Sequence, residues 1–277
     1  MIKSKNKFPT LREIQEAHGC KRDYEKYLPL SRFVFRPAGF LITWLAIRIG
    51  LTTEGVAWLS GIVGITACLL LIIGSDSLLP IGIALLLFFN LLDCVDGSIA
   101  RTTKTENPYG RFLDSLMGTI DIGFWAVIGI MAYNNPKFLF FPNPFDHGPI
   151  FWLAVGGLTC YFFILVEYIE RIFDVAVREE WNSIRKSIEI DSKTTMQDRT
   201  DIETIDKKTL SFKLMSIIRI INHNLRVRET HYFLLILAYL ANSVDLFLAS
   251  FLIYYFLYTI FLIVIYSLRG RQVRNYL

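Results

Sequence analysis

The sequence predicts an all-α integral membrane protein with six transmembrane helices and an amino-terminal helix lying in the interface. Three observations predict it. Of the 277 residues, 53% are hydrophobic, and the mean hydropathy of +0.42 is too high for a chain that only has to fill a soluble core. The apolar residues fall in long runs instead of the short alternating patterns of a soluble domain. Lys and Arg gather in alternate loops, as they do when one face of a membrane retains them.

Taken in order, residues 1–30 are charged and read as a cytoplasmic segment with no cleavable signal peptide. Residues 31–50 are apolar around much of a helix but carry Arg32, Arg36 and Arg48. That pattern suits a helix in the interface better than a crossing. The region 51–173 then supplies four spans, over 55–74, 78–100, 112–133 and 150–173, each judged against the roughly 20 apolar residues a crossing needs. Residues 174–229 form a cytoplasmic insert of mixed charge. Within it the polar stretch 192–209 reads as a mobile loop and 210–221 as a second interfacial helix; the insert is placed to cap an acceptor entrance. The region 230–277 adds spans over 231–244 and 246–268 and a basic tail.

Loop charges fix the orientation. The amino-terminal segment carries Lys3, Lys5, Lys7, Arg12, Lys21, Arg22 and Lys26, the link after span two carries Arg101, Lys104 and Arg111, and the tail carries Arg269, Arg271 and Arg274. Only Lys137 stands in the intervening loops, so both termini are expected in the cytoplasm. The net charge of +4 suits an anionic membrane surface and anionic substrates. No basic cluster with interleaved aromatics points to nucleic acid. Cys20, Cys68, Cys94 and Cys160 lack metal-ligand spacing and read as free thiols. His18, His147, His223 and His231 form no cluster and read as solvated or interfacial.

Carboxylates at membrane depth usually mark a site. Asp93, Asp96, Gly97 and Ala100 stand at i, i+3, i+4 and i+7, one face of a helix. Gly110, Asp114, Gly118 and Asp121 stand at i, i+4, i+8 and i+11, again one face. A short link joins the two helices, so Asp93, Asp96 and Asp114 can converge. Three carboxylates repel at low dielectric unless a hard cation such as Mg²⁺ or Mn²⁺ joins them, which predicts a site for one or two ions. Gly97, Gly110 and Ala100 keep that face shallow for a ligand, and the Arg101 fork at the helix end can hold a phosphate. Arg111 beside it can contact a phosphate or the acceptor, or serve as a snorkelling anchor. Asn90 reads as an interhelical hydrogen-bonding residue, and Glu167 and Arg171 as an i,i+4 pair. Tyr254, Tyr255, Tyr258 and Tyr266 read as packing or lipid contacts.

The run Asp93-x-x-Asp96-Gly97-x-x-Ala100-Arg101, eight further residues, then Gly110-x-x-x-Asp114 resembles the signature of the CDP-alcohol phosphotransferases. That signature reads D-xx-D-G-xx-A-R, a spacer, then G-xxx-D-xxx-D. Leu51 to Val56 also resembles a diverged form of the T-P-N-x-x-T segment that precedes the first span in many members, with Thr53 and Glu54 in place of the Pro and Asn. The resemblance implies transfer of a substituted phosphate group from a CDP-alcohol or CDP-diacylglycerol to a lipid or alcohol hydroxyl, with CMP leaving. It implies Mg²⁺ or Mn²⁺ held by Asp93, Asp96 and Asp114, a nucleotide site formed by Asp93, Gly97, Ala100, Arg101 and Gly110, and a homodimer. The chain departs from the signature at its last aspartate, the usual base, where it has Gly118. Asp121 is the candidate replacement base, lying about 20° from Asp114 around a continuous helix; the alternative is that it pairs inside the bundle. Other readings are a catalytically impaired relative that binds lipid or nucleotide, and a transferase using a CMP-phosphonate. A divalent-cation transporter fits less well, because the acids lie near one surface and lead into Gly-xx-Ala-Arg.

Overall fold

A computed structural model describes residues 8–19, 25–184 and 217–276, and among these every regular element is helical. The polar stretch 192–209, most of the expected helix 210–221, Cys20 and the basic residues Lys3, Lys5, Lys7, Lys21 and Arg22 lie outside the described residues. Residues 217–225 are helical.

The chain opens with α1 (Leu11–Ala17), capped by Thr10, whose side chain accepts from the Glu13 N–H while the Glu13 carboxylate accepts from the Thr10 N–H at 2.7 Å. This reciprocal box satisfies donors that a helix start leaves open. A π-helical turn Ser31–Phe35 leads into α2 (Arg36–Arg48). Helix α2 buries Gly39, Thr43 and Ala46 and exposes Leu41 and Leu45, with exposed Ile49 at its end. One apolar side thus faces the bundle and the other is left for lipid.

The bundle itself is α3 (Thr53–Ile73), α4 (Leu78–Thr103), α5 (Pro108–Gly118), α6 (Phe124–Asn134), α7 (Ile150–Ala176), α8 (Arg228–Leu240) and α9 (Val244–Tyr276). Among the described residues, five helical stretches are long and apolar enough to cross a bilayer: α3, α4, α5 with α6 together, α7 and α9. The expected six spans therefore become five full crossings and α8, whose 13 residues measure about 20 Å against a hydrocarbon core of about 30 Å. Its first turn holds Arg228 and Glu229, so the helix begins three residues before the expected fifth span, inside what read as the end of the insert. On the lipid side, Trp58, Ile62, Ile65 and Leu69 of α3 and Ile253, Leu257, Ile260 and Val264 of α9 are exposed, surface that only a bilayer can cover without penalty.

The third span is broken. Helix α5 ends at Gly118, a 3₁₀ turn covers Ile120–Gly123, and α6 resumes at Phe124. Gly118 and Gly123 weaken the helix, and the Thr119 hydroxyl donates back to the Leu116 carbonyl at 2.7 Å, competing with the regular ladder.

Helices α6 and α7 approach backbone to backbone, where a Cβ added to Gly156 would stand 2.5 Å from Gly129 Cα; only glycine at both positions permits that approach. Around it the core is aromatic. Trp125 is fully buried against Phe247, Phe251, Tyr255 and His231. His231 and His18 are both buried, which corrects the expectation of solvated histidines: each has hydrogen-bond partners that replace water. At the end of the bundle where α7 and α9 begin, buried Asp245 accepts from the Phe140 and Phe141 N–H groups at 2.9 and 2.7 Å. The site lies towards the other end.

Candidate functional site

Helix α4 carries the first acids because an otherwise apolar helix turns polar on one face over its last three turns. Helix α5 follows after a short link; Asn107 caps its start by accepting from the Gly110 N–H at 2.7 Å and Pro108 pre-sets its first turn. Asp114 lies one turn beyond Gly110. Asp93, Asp96 and Asp114 line one small polar cavity of about 190 Å³. Asp96 is 2% exposed, and its hydrogen bond is to the Gly97 N–H beside it. Asp93 Oδ2 accepts from Arg228 Nη2 at 2.9 Å. Among the described residues no three His, Cys, Asp or Glu side chains are gathered into a ready-made metal cage.

A larger pocket of about 600 Å³ opens beside this cavity and shares Asp96, Gly97, Arg101 and Asp114 with it. Ala100, Gly110 and Arg111 complete its polar-facing wall, with Thr52 and Thr53 opposite. Every position expected to form the nucleotide site thus borders one of these two connected spaces. Arg101 lies over Gly97, where an added Cβ would come within 3.1 Å of its guanidinium. The shallow face expected at Gly97 is occupied by the arginine. Arg101 also reaches Ser98 Oγ and His18 Nδ1, each at 3.5 Å.

Asp121 lies elsewhere. Because α5 stops at Gly118, the shared face expected for Asp114 and Asp121 does not form. Asp121 instead borders a third pocket of about 580 Å³ that also includes Gly118, Glu170, Arg226 and Arg228. Its Oδ2 accepts from the Tyr232 hydroxyl at 2.7 Å. Arg228 borders both this pocket and the acid cavity. Its Nη2 lies 4.0 Å from the point a Cβ on Gly118 would occupy.

The expected Glu167–Arg171 pair is not formed. Arg226 takes both acids of that turn, donating to Glu170 at 2.7 Å through two nitrogens and to Glu167 at 2.8 Å. A two-pronged fork to one carboxylate is the stronger arrangement. Arg226 and Arg228 went unrecognised because both read as part of a loop. The available signal was the i,i+4 spacing of Arg228 and Tyr232 at the start of a short apolar run.

Arg36 meets the acid cavity from the amino-terminal side, with Glu25 and His18 linked to it by polar contacts. Arg36, expected to be an interfacial anchor, is only 15% exposed and pairs with Glu25 at 2.7 Å. It borders the cavity beside the acids. Glu25 also bonds to His18 Nε2 at 2.8 Å. Burial pushes the His18 imidazole below its ordinary pKa, with Arg36 and Arg101 acting in the same direction and Glu25 opposing them.

No curated protein matches the chain. A family model described as CDP-alcohol phosphatidyltransferase matches residues 53–196, just over half of it. The match contains α3 to α7 and therefore both halves of the acidic motif. Such enzymes move a phosphate-linked group from a CDP-alcohol and release CMP, and they generally use a divalent metal. With its acid cavity, helical membrane bundle and motif spacing, the chain belongs to the CDP-alcohol phosphatidyltransferase family.

Proposed function

We propose that this protein transfers a substituted phosphate group from a CDP-linked donor to an acceptor hydroxyl at the membrane, releasing CMP. The observation that carries the reading is a row of three neighbouring pockets. A nucleotide-sized pocket shares Asp96 and Asp114 with the acid cavity, which in turn shares Arg228 with a pocket containing Asp121. In this reading the cytidine moiety occupies the first, the diphosphate the second and the acceptor the third.

The acid cavity fits a hard cation. Asp96 is buried with one hydrogen bond from its neighbour's backbone, and a buried carboxylate so lightly compensated favours a cation. Mg²⁺ commonly needs only one or two protein carboxylates when substrate phosphates complete its shell, so no ready-made cage is required. Asp93, Asp96 and Asp114 would hold Mg²⁺ or Mn²⁺. When bound, the ion supplies positive charge beside the diphosphate.

The remaining work falls to side chains. The acceptor oxygen bonds to the phosphorus bearing the donor's alcohol, the bond from that phosphorus to the CMP oxygen breaks, and CMP leaves with the electron pair. The acceptor proton passes to Asp121, which Tyr232 holds in the acceptor pocket. Arg228, between Asp93 and Gly118, places a fixed positive charge where the two substrates meet. Gly97, Ala100, Arg101, Gly110 and Arg111 border the donor. The loop charges put both termini and the donor pocket on the cytoplasmic side, α2 lies in the interface, and the working unit is a homodimer, as the family resemblance implies.

The test is CMP release from a panel of CDP-alcohols and CDP-diacylglycerol by the purified protein in lipid. Release should require Mg²⁺ or Mn²⁺ and disappear in Asp96→Asn. Bound CDP and metal with no turnover on any acceptor would instead identify a nucleotide-binding relative without activity.

A further inference from the structure

The signature stretches from Asp93 to Asp114, yet one wall of the acid cavity comes from outside it. Arg36, at the first position of α2, turns away from the exposed side of that helix and borders the cavity that contains Asp93, Asp96 and Asp114. Glu25 holds Arg36 at its Nη2. The buried Nε–H has no hydrogen-bond partner. A guanidinium gripped at one edge presents its other donors in a fixed plane, and an unpaired buried donor is a cost that a bound anion removes.

Glu25 also reaches the opposite cation. It is 5% exposed and bonds to His18, itself 4% exposed and packed edge-on against Phe40 at 5.3 Å. A neutral imidazole can donate from Nε2 to Glu25 and still offer Nδ1 as acceptor to Arg101, 3.5 Å away. One carboxylate therefore orients two arginines, Arg36 directly and Arg101 through His18. Since Glu25 balances Arg36, that arginine can approach the cavity without drawing on its acids.

We infer that Arg36 is a donor-binding residue that contacts the diphosphate of the CDP-linked substrate, and that Glu25 and His18 are positioning residues which set Arg36 and Arg101 for it. The inference rests on the transferase reading and deepens it: the segment before the first crossing completes the donor site. Arg36 bonds through a nitrogen aimed away from Glu25, so Lys, a point charge without the fork, replaces it only partly.

Equilibrium binding of CDP and of CMP, each with Mg²⁺, to the full-length protein in lipid separates the possibilities without needing turnover. Arg36→Ala should weaken CDP about tenfold or more, the worth of one charge-assisted hydrogen bond. CMP should weaken less, Arg36→Lys should be intermediate, and Glu25→Gln should weaken CDP about threefold with a smaller effect on CMP. Arg36→Ala binding CDP as the wild type does, or losing CDP and CMP equally, overturns the inference. Should Arg36→Ala not be recovered folded, unchanged CDP binding in both Arg36→Lys and Glu25→Gln overturns it. A wild-type protein that binds no CDP removes the transferase reading, and this inference with it.

Discussion

Arg228 stands in the space that Gly118 leaves open. Its Nη2 is 4.0 Å from the place a Cβ on residue 118 would take, and the same nitrogen donates to Asp93 at 2.9 Å. An arginine from α8 thus borders the position where the signature that the chain resembles carries an aspartate. Restoring that aspartate should not restore anything. In Gly118→Asp the new carboxylate competes with Asp93 for Arg228, and CMP release should fall about threefold to tenfold. A rise in CMP release would show instead that a base is missing at 118.

Asp121 carries the proton in this account, and its neighbour holds it. Asp121→Asn should lower kcat about 10² to 10⁴-fold, the usual worth of a general base, with little change in donor KM. Tyr232→Phe removes the 2.7 Å hydrogen bond and should lower kcat about tenfold, as expected for one hydrogen bond to a charged group. Steady-state kinetics on both variants decide it, and an unchanged kcat in Asp121→Asn removes Asp121 from the mechanism.

Acidification should loosen the amino-terminal contact. The folded His18 titrates below its ordinary value of 6.5, chiefly through burial. A depressed histidine contributes stability that is complete above the unfolded value and is lost as pH falls through it towards the folded value. Unfolding midpoints and CDP affinity should therefore hold above about pH 6.5 and decline below it. The charged groups facing the ring are Glu25, Arg36 and Arg101. His18→Gln should flatten the decline; an equally steep profile in that variant would assign it to another group.

The far end of the bundle offers a purely structural test. Asp245 is fully buried and accepts from two consecutive backbone N–H groups. Asp245→Ala leaves both unpaired and should cost about 1 to 3 kcal/mol, seen as a lower unfolding midpoint with kcat intact. Asp245→Asn keeps one acceptor and should cost less.

What could be read from the sequence follows from how locally each feature is encoded. The acids and the nucleotide-lining positions sit within 22 residues on two adjacent helices, so helical spacing and a short link bring them to two neighbouring cavities. Asp121 was identifiable as a residue but not in its place, because the Gly118 to Gly123 break re-aims everything after it. Arg228 and Tyr232 reach the site from more than 100 residues away, on a helix too short to announce a full crossing. Arg36 and His18 looked like an anchor and a solvated ring because only the docking of α1 and α2 on α4 turns them inward. Positive charge near a membrane has two readings, and tertiary contact chooses between them.

If Asp93, Asp96 and Asp114 activate a CDP-linked donor, CMP release must follow divalent metal concentration, and a titration of wild type beside Asp96→Asn decides it. Wild type should show saturable Mg²⁺ or Mn²⁺ dependence, abolished by chelator, and Asp96→Asn a loss of at least about 10³-fold, the scale of removing a key electrostatic group. Metal-independent release, or release that survives Asp96→Asn, would contradict it.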